Sequence, residues 1–317
     1  MLERRLVQLL LLAAVVAVLA ALVATTADNM RERGIRSGFD FLLEPAGFSI
    51  GETPLAFDAG DSVLRAFAAG LANTLRAALA AIVLCSVLGT AVGVGRLSAN
   101  LLLRGACAAY VETFRNIPLL LQLLAWYFVL TELLPAAGDA WRLGPGVFLS
   151  KSGLSFPWRV DGAWEMPEQN VFTIAGGGAL TPEFLALVVG LGIYTAAYVA
   201  ETVRGGLQAV PRGQTDAGLA LGLTRRQVFF AVLLPQARRA ILPPLANHYL
   251  NLTKNSSLAV AIGYPDLVSI ANTTLNQTGR AVECIALVMA TYLVLSLATA
   301  LITHRLERRS ARWAGDA

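Results

Sequence analysis

Hydrophobic positions along the chain gather into six blocks, at about 6–24, 77–95, 116–134, 184–200, 240–263 and 284–303. Each approaches the roughly 20 apolar residues that a helix needs to cross a bilayer. None alternates apolar with polar positions, and the run "LLLLAAVVAVLAALVA" shows this most plainly, so a membrane β-barrel is excluded. The pattern predicts an all-α, polytopic membrane helical bundle of about six spans.

Composition agrees with the blocks. Of 317 residues, 56% are hydrophobic and only 15% charged, where a soluble domain carries about a quarter charged residues. Charge is also distributed unevenly. With the N-terminus inside, the inner segments (1–5, 96–115, 201–239, 304–317) hold 15 Lys+Arg against 6 Asp+Glu, and the outer segments (25–76, 135–183, 264–283) hold 9 against 14. That bias is the positive-inside pattern of an inserted bundle, with both termini cytoplasmic. The basic balance therefore reports topology rather than nucleic-acid binding, which would need a basic face on a soluble module.

The first block follows Arg4 and Arg5 and precedes "ATTADN", which also fits a cleaved signal peptide. Its apolar run exceeds a usual signal core, so a retained helix is expected. Residues 1–64 then read as one transmembrane helix with an external loop. Residues 65–305 read as the main transmembrane domain, with an external insertion at about 135–183, and 306–317 as a cytoplasmic tail. The insertion carries Trp141, Trp158 and Trp164; it is long enough to be either a docking surface or a tolerated insertion. Gly89 and Gly93 form a GxxxG pair suited to close helix approach. Pro118 falls in the first turn of its run, and Trp126 and Tyr127 are expected to pack inside the bundle. Cys85, Cys107 and Cys284 lack CxxC spacing and read as small hydrophobes. His248 and His304 are too far apart for a zinc cluster, so neither a metal nor another cofactor is expected.

One stretch does not serve membrane crossing. "GQTDAGLALGLTRRQVFFAVLLP", from Gly213 to Pro235, is a polar, arginine-bearing insert on the inner side. Pro211 ends one helix and can start another. Asp216 is expected in the first turn of the new helix, where a negative charge complements the helix dipole. Gly222 suits the left-handed position after a helix. Thr224 and Gln227 then make a T-x-x-Q capping box for a second helix expected to stop or kink at Pro235. The insert predicts a helix–glycine–helix element at the membrane surface that contacts another protein.

The spacing D-A-G-x3-G-x9-V-x-L-P resembles the EAA loop of ABC importer permeases, whose usual form is E-A-A-x3-G-x9-I-x-L-P. "YVETFRNIPLLLQLLAWYF", "YVAETVRGGLQAVPRGQ" and "LPQARRAILPPLANHYLNLTKNSSLAVAIGYPDL" resemble the polar amino-acid permeases, and "GFDFLLEPAGFSI" the general L-amino-acid subgroup. The likeness covers roughly 65–305. Two residues depart from the pattern: Asp216 stands for Glu, and Gly218 for the second Ala, which lowers helix stability by up to about 1 kcal/mol. The resemblance implies a type I importer (MetI-like) transmembrane fold, binding-protein-dependent transport of amino acids and no enzymatic activity. It implies a cytoplasmic ABC ATPase dimer, a second homologous permease, a periplasmic amino-acid-binding protein and a bacterial inner membrane as surroundings. The ATPase would be coupled through about 204–239, with Gly213, Asp216, Ala217, Gly218, Leu219, Leu221, Gly222, Arg225, Arg226, Leu234 and Pro235 as its contact element. Gly222 would turn the chain, Asp216, Arg225 and Arg226 would supply charge, and Leu219 and Leu221 an apolar plug.

Ionisable groups at membrane depth mark functional positions. Glu201 can pair with Arg204 at (i, i+3) or face the translocation path and take a substrate ammonium. Asn247, Asn251, Lys254 and Ser257 recur at helical spacing as a polar stripe fit to line a path. Glu132 is expected to snorkel to the outer interface. The chain lacks the G-x-x-x-x-G-K-[ST] pattern, so ATP is expected to be used by a partner. A self-sufficient secondary transporter fits poorly with the insert and with the absence of an internal repeat. An intramembrane enzyme would need a Ser/His or paired-Asp constellation that the spans lack.

Overall fold

The structure, a computed structural model, describes residues 2–32, 34, 37–160 and 162–312. Ten helices carry most of the described chain. These are α1 (Leu2–Glu32), α2 (Val63–Gly95), α3 (Leu101–Asn116), α4 (Leu119–Phe128), α5 (Pro182–Gln208), α6 (Arg212–Ala220), α7 (Arg225–Gln227), α8 (Leu234–Asn255), α9 (Leu267–Thr278) and α10 (Ala281–Arg312). Among the described residues, five stretches are long and apolar enough to cross a membrane, or six if the bent pair α3 and α4 is one span. The expected tail 306–317 continues α10 to Arg312, and 313–317 lie outside the described residues.

The third apolar block is not a straight span. Leu101–Asn116 and Leu119–Leu133 meet at 104°. Pro118 forces Ile117 out of the helical region, to φ −92° and ψ 127°. The break is satisfied internally: the buried Gln122 amide donates to the carbonyls of Phe114 and Ile117, both at 2.9 Å. Gln122 thus meets the demand that no backbone group at membrane depth stay unpaired. Val129–Leu133 then winds as a π-turn. There Glu132 is exposed, with the Lys151 ammonium at 4.0 Å.

The spine of the bundle is α2 against α5. Ala77, Ala78, Ala81 and Cys85 of α2 share a buried core with Leu187, Leu191, Ala196 and Val199 of α5. Small residues bring the backbones together. A Cβ on Gly89 would lie 2.6 Å from Val199 Cβ, and one on Gly93 2.6 Å from the Ala200 carbonyl oxygen. The GxxxG pair is therefore a packing seam. Trp126 and Tyr127 pack against this core. Cys85 and Cys284 are buried, Cys107 half-buried, and all three are free.

The external insertion adds short strands to the helical bundle. It folds as β1 (Trp141–Gly144), β2 (Val147–Ser150), β3 (Gly153–Phe156), β4 (Trp158–Val160), β5 (Ala163–Glu165), β6 (Glu168–Gln169), β7 (Ile174–Ala175) and β8 (Gly178–Leu180). The main sheet is antiparallel in the order β1-β2-β3-β8, and β4–β5 and β6–β7 form two small hairpins. Its inner side buries Phe148 and Ser150, while Trp141, Trp158 and Trp164 stay exposed.

Candidate coupling loop and translocation cavity

At the inner end of α5 the chain turns at Val210–Pro211 into α6. Pro211 is its N-cap with φ −57° and ψ 138°. Pro211 starts α6 as expected, but Asp216 is its fifth residue, one position beyond the first turn where it was expected. Gly222 takes φ +81°. Around it Leu223 N–H donates to the Gly218 carbonyl at 3.2 Å and Gly222 N–H to that of Leu219 at 2.9 Å. This pair of bonds is a Schellman closure, which satisfies the last carbonyls of α6. Thr224 and Gln227 form the reciprocal capping box at the start of α7.

The second helix neither stops nor breaks at Pro235. It passes through a π-turn at Val228–Leu233 and continues into α8, with Pro235 in its first turn. A π-turn shifts the hydrogen-bond ladder by one residue, and a proline in a first turn forfeits little, since its N–H would lack an intrahelical partner. Gly218 has a packing role that its helix propensity hides. It is buried, and a Cβ there would stand 2.9 Å from Val228 Cγ2. Gly218 lets α6 lie directly on the π-turn, and Gln236 Nε2 of α8 donates to Gln214 Oε1 of α6 at 3.2 Å.

The result is a braced elbow with an open outer face. Gly213, Asp216, Ala217, Leu219, Leu221, Gly222, Arg225, Arg226 and Pro235 are exposed, and Leu234 is half-buried. Leu221 is 82% exposed. Among the described residues Asp216 has no ion-pair partner.

Glu201 is placed in a clamp. It accepts from Arg204 on its own helix and from Arg96 at the end of α2, and Arg204 also donates to Gln208 Oε1 at 2.6 Å. The clamp locks α5 to α2 immediately above the elbow. At the other end of the spine Arg76 pairs with Glu52 at 2.7 Å and lies over the Phe184 ring at 4.3 Å. Arg76 and Arg96 are twenty residues apart, about 30 Å along a helix, the thickness of a hydrocarbon core.

A polar cavity of about 190 Å³ opens between α5 and α8, lined by Tyr194, Thr195, Tyr198, His248, Asn251 and Asn255. Tyr194 and Tyr198 share a hydroxyl hydrogen bond at 3.1 Å. His248 Nε2 is 2.9 Å from the Thr202 hydroxyl, and the Arg115 guanidinium lies 5.0 Å from the Tyr198 ring centre. Of the stripe expected to line a path, only Asn251 reaches this cavity. Asn247 and Lys254 are exposed on the same face of α8 as Asn251, outside the cavity wall. Only Ser257 falls in the 3₁₀ turn Ser256–Ile262, where its hydroxyl donates to the Lys254 carbonyl at 2.8 Å. Sequence reasoning missed Tyr194 and Tyr198. Their spacing with Thr202, four residues at each step, was the available signal. A second cavity of about 410 Å³ lies at the outer end, with Glu52, Thr181, Glu183, Gly263 and Pro265 in its wall.

The chain thus presents a bent span pair, a glycine-seamed spine and an exposed helical elbow. Comparison with known proteins gives the family. Residues 86–312 match the family described as binding-protein-dependent transport system inner membrane component. The chain is 35% identical over 346 residues to the general L-amino acid transport system permease protein AapQ of Rhizobium johnstonii, covering 90% of this chain and 86% of that one. It is 33% identical over 381 residues to the glutamate/glutamine/aspartate/asparagine transport system permease protein BztB of Rhodobacter capsulatus, covering 92% and 89%. The crystal structure of an amino acid ABC transporter with histidines superimposes with a TM-score of 0.59 at 28% identity, over 78% of this chain and 94% of that one. The chain belongs to the family of binding-protein-dependent ABC importer permeases, in its amino-acid transporter branch. It is a multi-pass transport component with the type I importer fold, not an enzyme, and its family works with an ATPase and a solute-binding protein.

Proposed function

We propose that this chain carries L-amino acids across a bacterial inner membrane as one permease of an ATP-driven importer, paired with a second, homologous permease. Both termini are cytoplasmic; the excess of Lys and Arg on the segments that this orientation places inside supports it. A cytoplasmic ATPase dimer grips the elbow from Gly213 to Pro235 and hydrolyses the ATP, and no cofactor resides on this chain. A loaded periplasmic binding protein docks on the outer face and releases its amino acid towards the α5–α8 cavity. There Tyr194, Tyr198, His248 and Asn251 offer hydrogen bonds in place of water. ATPase closure pulls the elbow, and the Glu201 clamp transmits the pull to the α2–α5 spine as alternating access.

The observation that carries this reading is the open face of a rigid elbow. A loop free of partners would not need a Schellman closure, a capping box and a glycine seated on a valine. The test is uptake into proteoliposomes that contain this chain, its partner permease and the ATPase. Uptake should require ATP and binding protein, and Gly222→Val should reduce it at least about tenfold while leaving membrane insertion unchanged. Uptake driven by an ion gradient alone, without nucleotide, would overturn the reading.

A further inference from the structure

The loop between α8 and α9 closes over a polar cluster at the outer end of the bundle. Asn73 Nδ2 donates to the Pro265 carbonyl at 2.9 Å, Leu267 N–H to Thr74 Oγ1 at 3.1 Å, and the Tyr264 hydroxyl to the Asn73 carbonyl at 3.3 Å. Asp266 lies within these straps and is fully buried. One of its oxygens caps α9, accepting from Ser269 N–H at 2.8 Å. Its other oxygen, Oδ2, has no partner, and neither has Asn73 Oδ1 nor the Tyr292 hydroxyl of α10. Capping explains one oxygen only; a cap carboxylate ordinarily keeps the other in water.

The surrounding hydroxyls cannot neutralise it. Thr74 donates to the Gly70 carbonyl at 3.0 Å, Ser256 to that of Thr253 at 2.7 Å and Ser257 to that of Lys254 at 2.8 Å. Their protons are committed to the helices, and Tyr292 lies beside all three. The cluster is therefore rich in acceptors and holds one uncommitted donor. No Lys, Arg or His is bonded to Asp266 among the described residues. The charges nearest in sequence on α2, Arg76 and its partner Glu52, neutralise each other. A bare carboxylate here would cost several kcal/mol; a proton removes that cost.

We propose that Asp266, with Asn73 and Tyr292, forms a buried proton-binding site that holds the loop 263–266 closed. Burial also pushes the Asp266 carboxyl up to about 7. The sign is the reverse of a paired aspartate. The folded chain keeps the proton while the unfolded or opened chain has lost it, so stability falls as pH rises from about 4 to about 7 and levels off above. Gly263 and Pro265 of the same loop also wall the outer cavity. Loss of the proton thus loosens the wall of this outer cavity, on the face where the binding protein docks. That consequence for transport rests on the importer function, whereas the titration does not.

The test is thermal unfolding of the full chain in nanodiscs between pH 4.5 and 8.5, against Asp266→Asn. The wild type should lose about 5 °C or more relative to the variant from pH 4.5 to 7, with no further loss above. Parallel curves, or a loss confined above pH 7, would overturn the site. Should Asp266→Asn fail to fold, Tyr292→Phe serves instead. It removes the sole spare donor to the ionised form, so the transition should move to higher pH, and an unmoved transition counts against the site. Stabilisation by sodium at constant ionic strength without pH dependence would replace the proton with a cation and equally overturn it.

Discussion

The α2–α5 spine and the α6–α7 elbow use glycine in opposite ways. In the spine Gly89 and Gly93 have neighbours closer than any side chain would allow; they exist so that two helices can touch. In the elbow Gly222 has nothing within 4 Å of where a Cβ would stand, yet its φ of +81° excludes most other residues. One glycine seals an interface within the chain, and the other shapes a surface for something beyond it. The ionisable residues divide likewise. Arg96, Glu201 and Arg204 satisfy one another in the spine, whereas Asp216, Arg225 and Arg226 stay exposed on the elbow. Rigidity inside and unused valence outside are what a lever and its handle require.

That contrast breaks most severely at the seam. Gly89→Leu would put a side chain into Val199 and the Ala196 carbonyl, 2.6 and 2.8 Å from its Cβ, and should cost about 3 kcal/mol or more. The measurement is loss of monodisperse protein and of melting temperature in detergent. Next comes Glu201→Gln, which leaves Arg96 and Arg204 facing each other without a counter-charge. The group is 17–31% exposed at its side chains, so a loss of ~1–2 kcal/mol is expected rather than the larger value of a fully buried pair. Arg204→Gln should cost less, because Glu201 keeps Arg96, and equal losses would deny the clamp.

In the elbow the order of stability and function reverses. Thr224→Ala removes a cap worth about 1 kcal/mol, read as faster amide exchange in α7 with an unchanged global melt. Asp216→Asn should leave melting unchanged, since Asp216 has no partner in the described chain. It should still weaken ATP-driven uptake, with the deficit shrinking at high salt where surface charge is screened. A melting shift in that variant would mean that Asp216 works within the chain.

The elbow was legible in the sequence because its signals are local: Pro211, Gly222 and the Thr224–Gln227 pair act within four residues. The spans were legible because hydrophobic length is itself the physical requirement. Contacts that close long loops were not. Glu201 and Arg96 are 105 residues apart, and Glu201 read alone was as much a path residue as an ion-pair partner. The β-insertion hid because its strands are two to four residues long, too short for alternation to register. Asp216 falls one position beyond the first turn, because α6 begins directly after Pro211. Gly218 looked like a weakness in α6 because propensity ignores Val228, which only the folded chain brings beneath it.

The central claim is that the elbow is gripped by the ATPase. Leu221→Cys would place a thiol at a site 82% exposed, while Cys85 and Cys284 are buried and Cys107 is half-buried. Treated with a short bifunctional thiol crosslinker in the assembled importer, this variant should join covalently to the ATPase subunit, and ATP-driven uptake should stop when it does. If the introduced thiol were labelled freely and gave no adduct, in an assembly that still imports amino acids at full rate, the account would be contradicted.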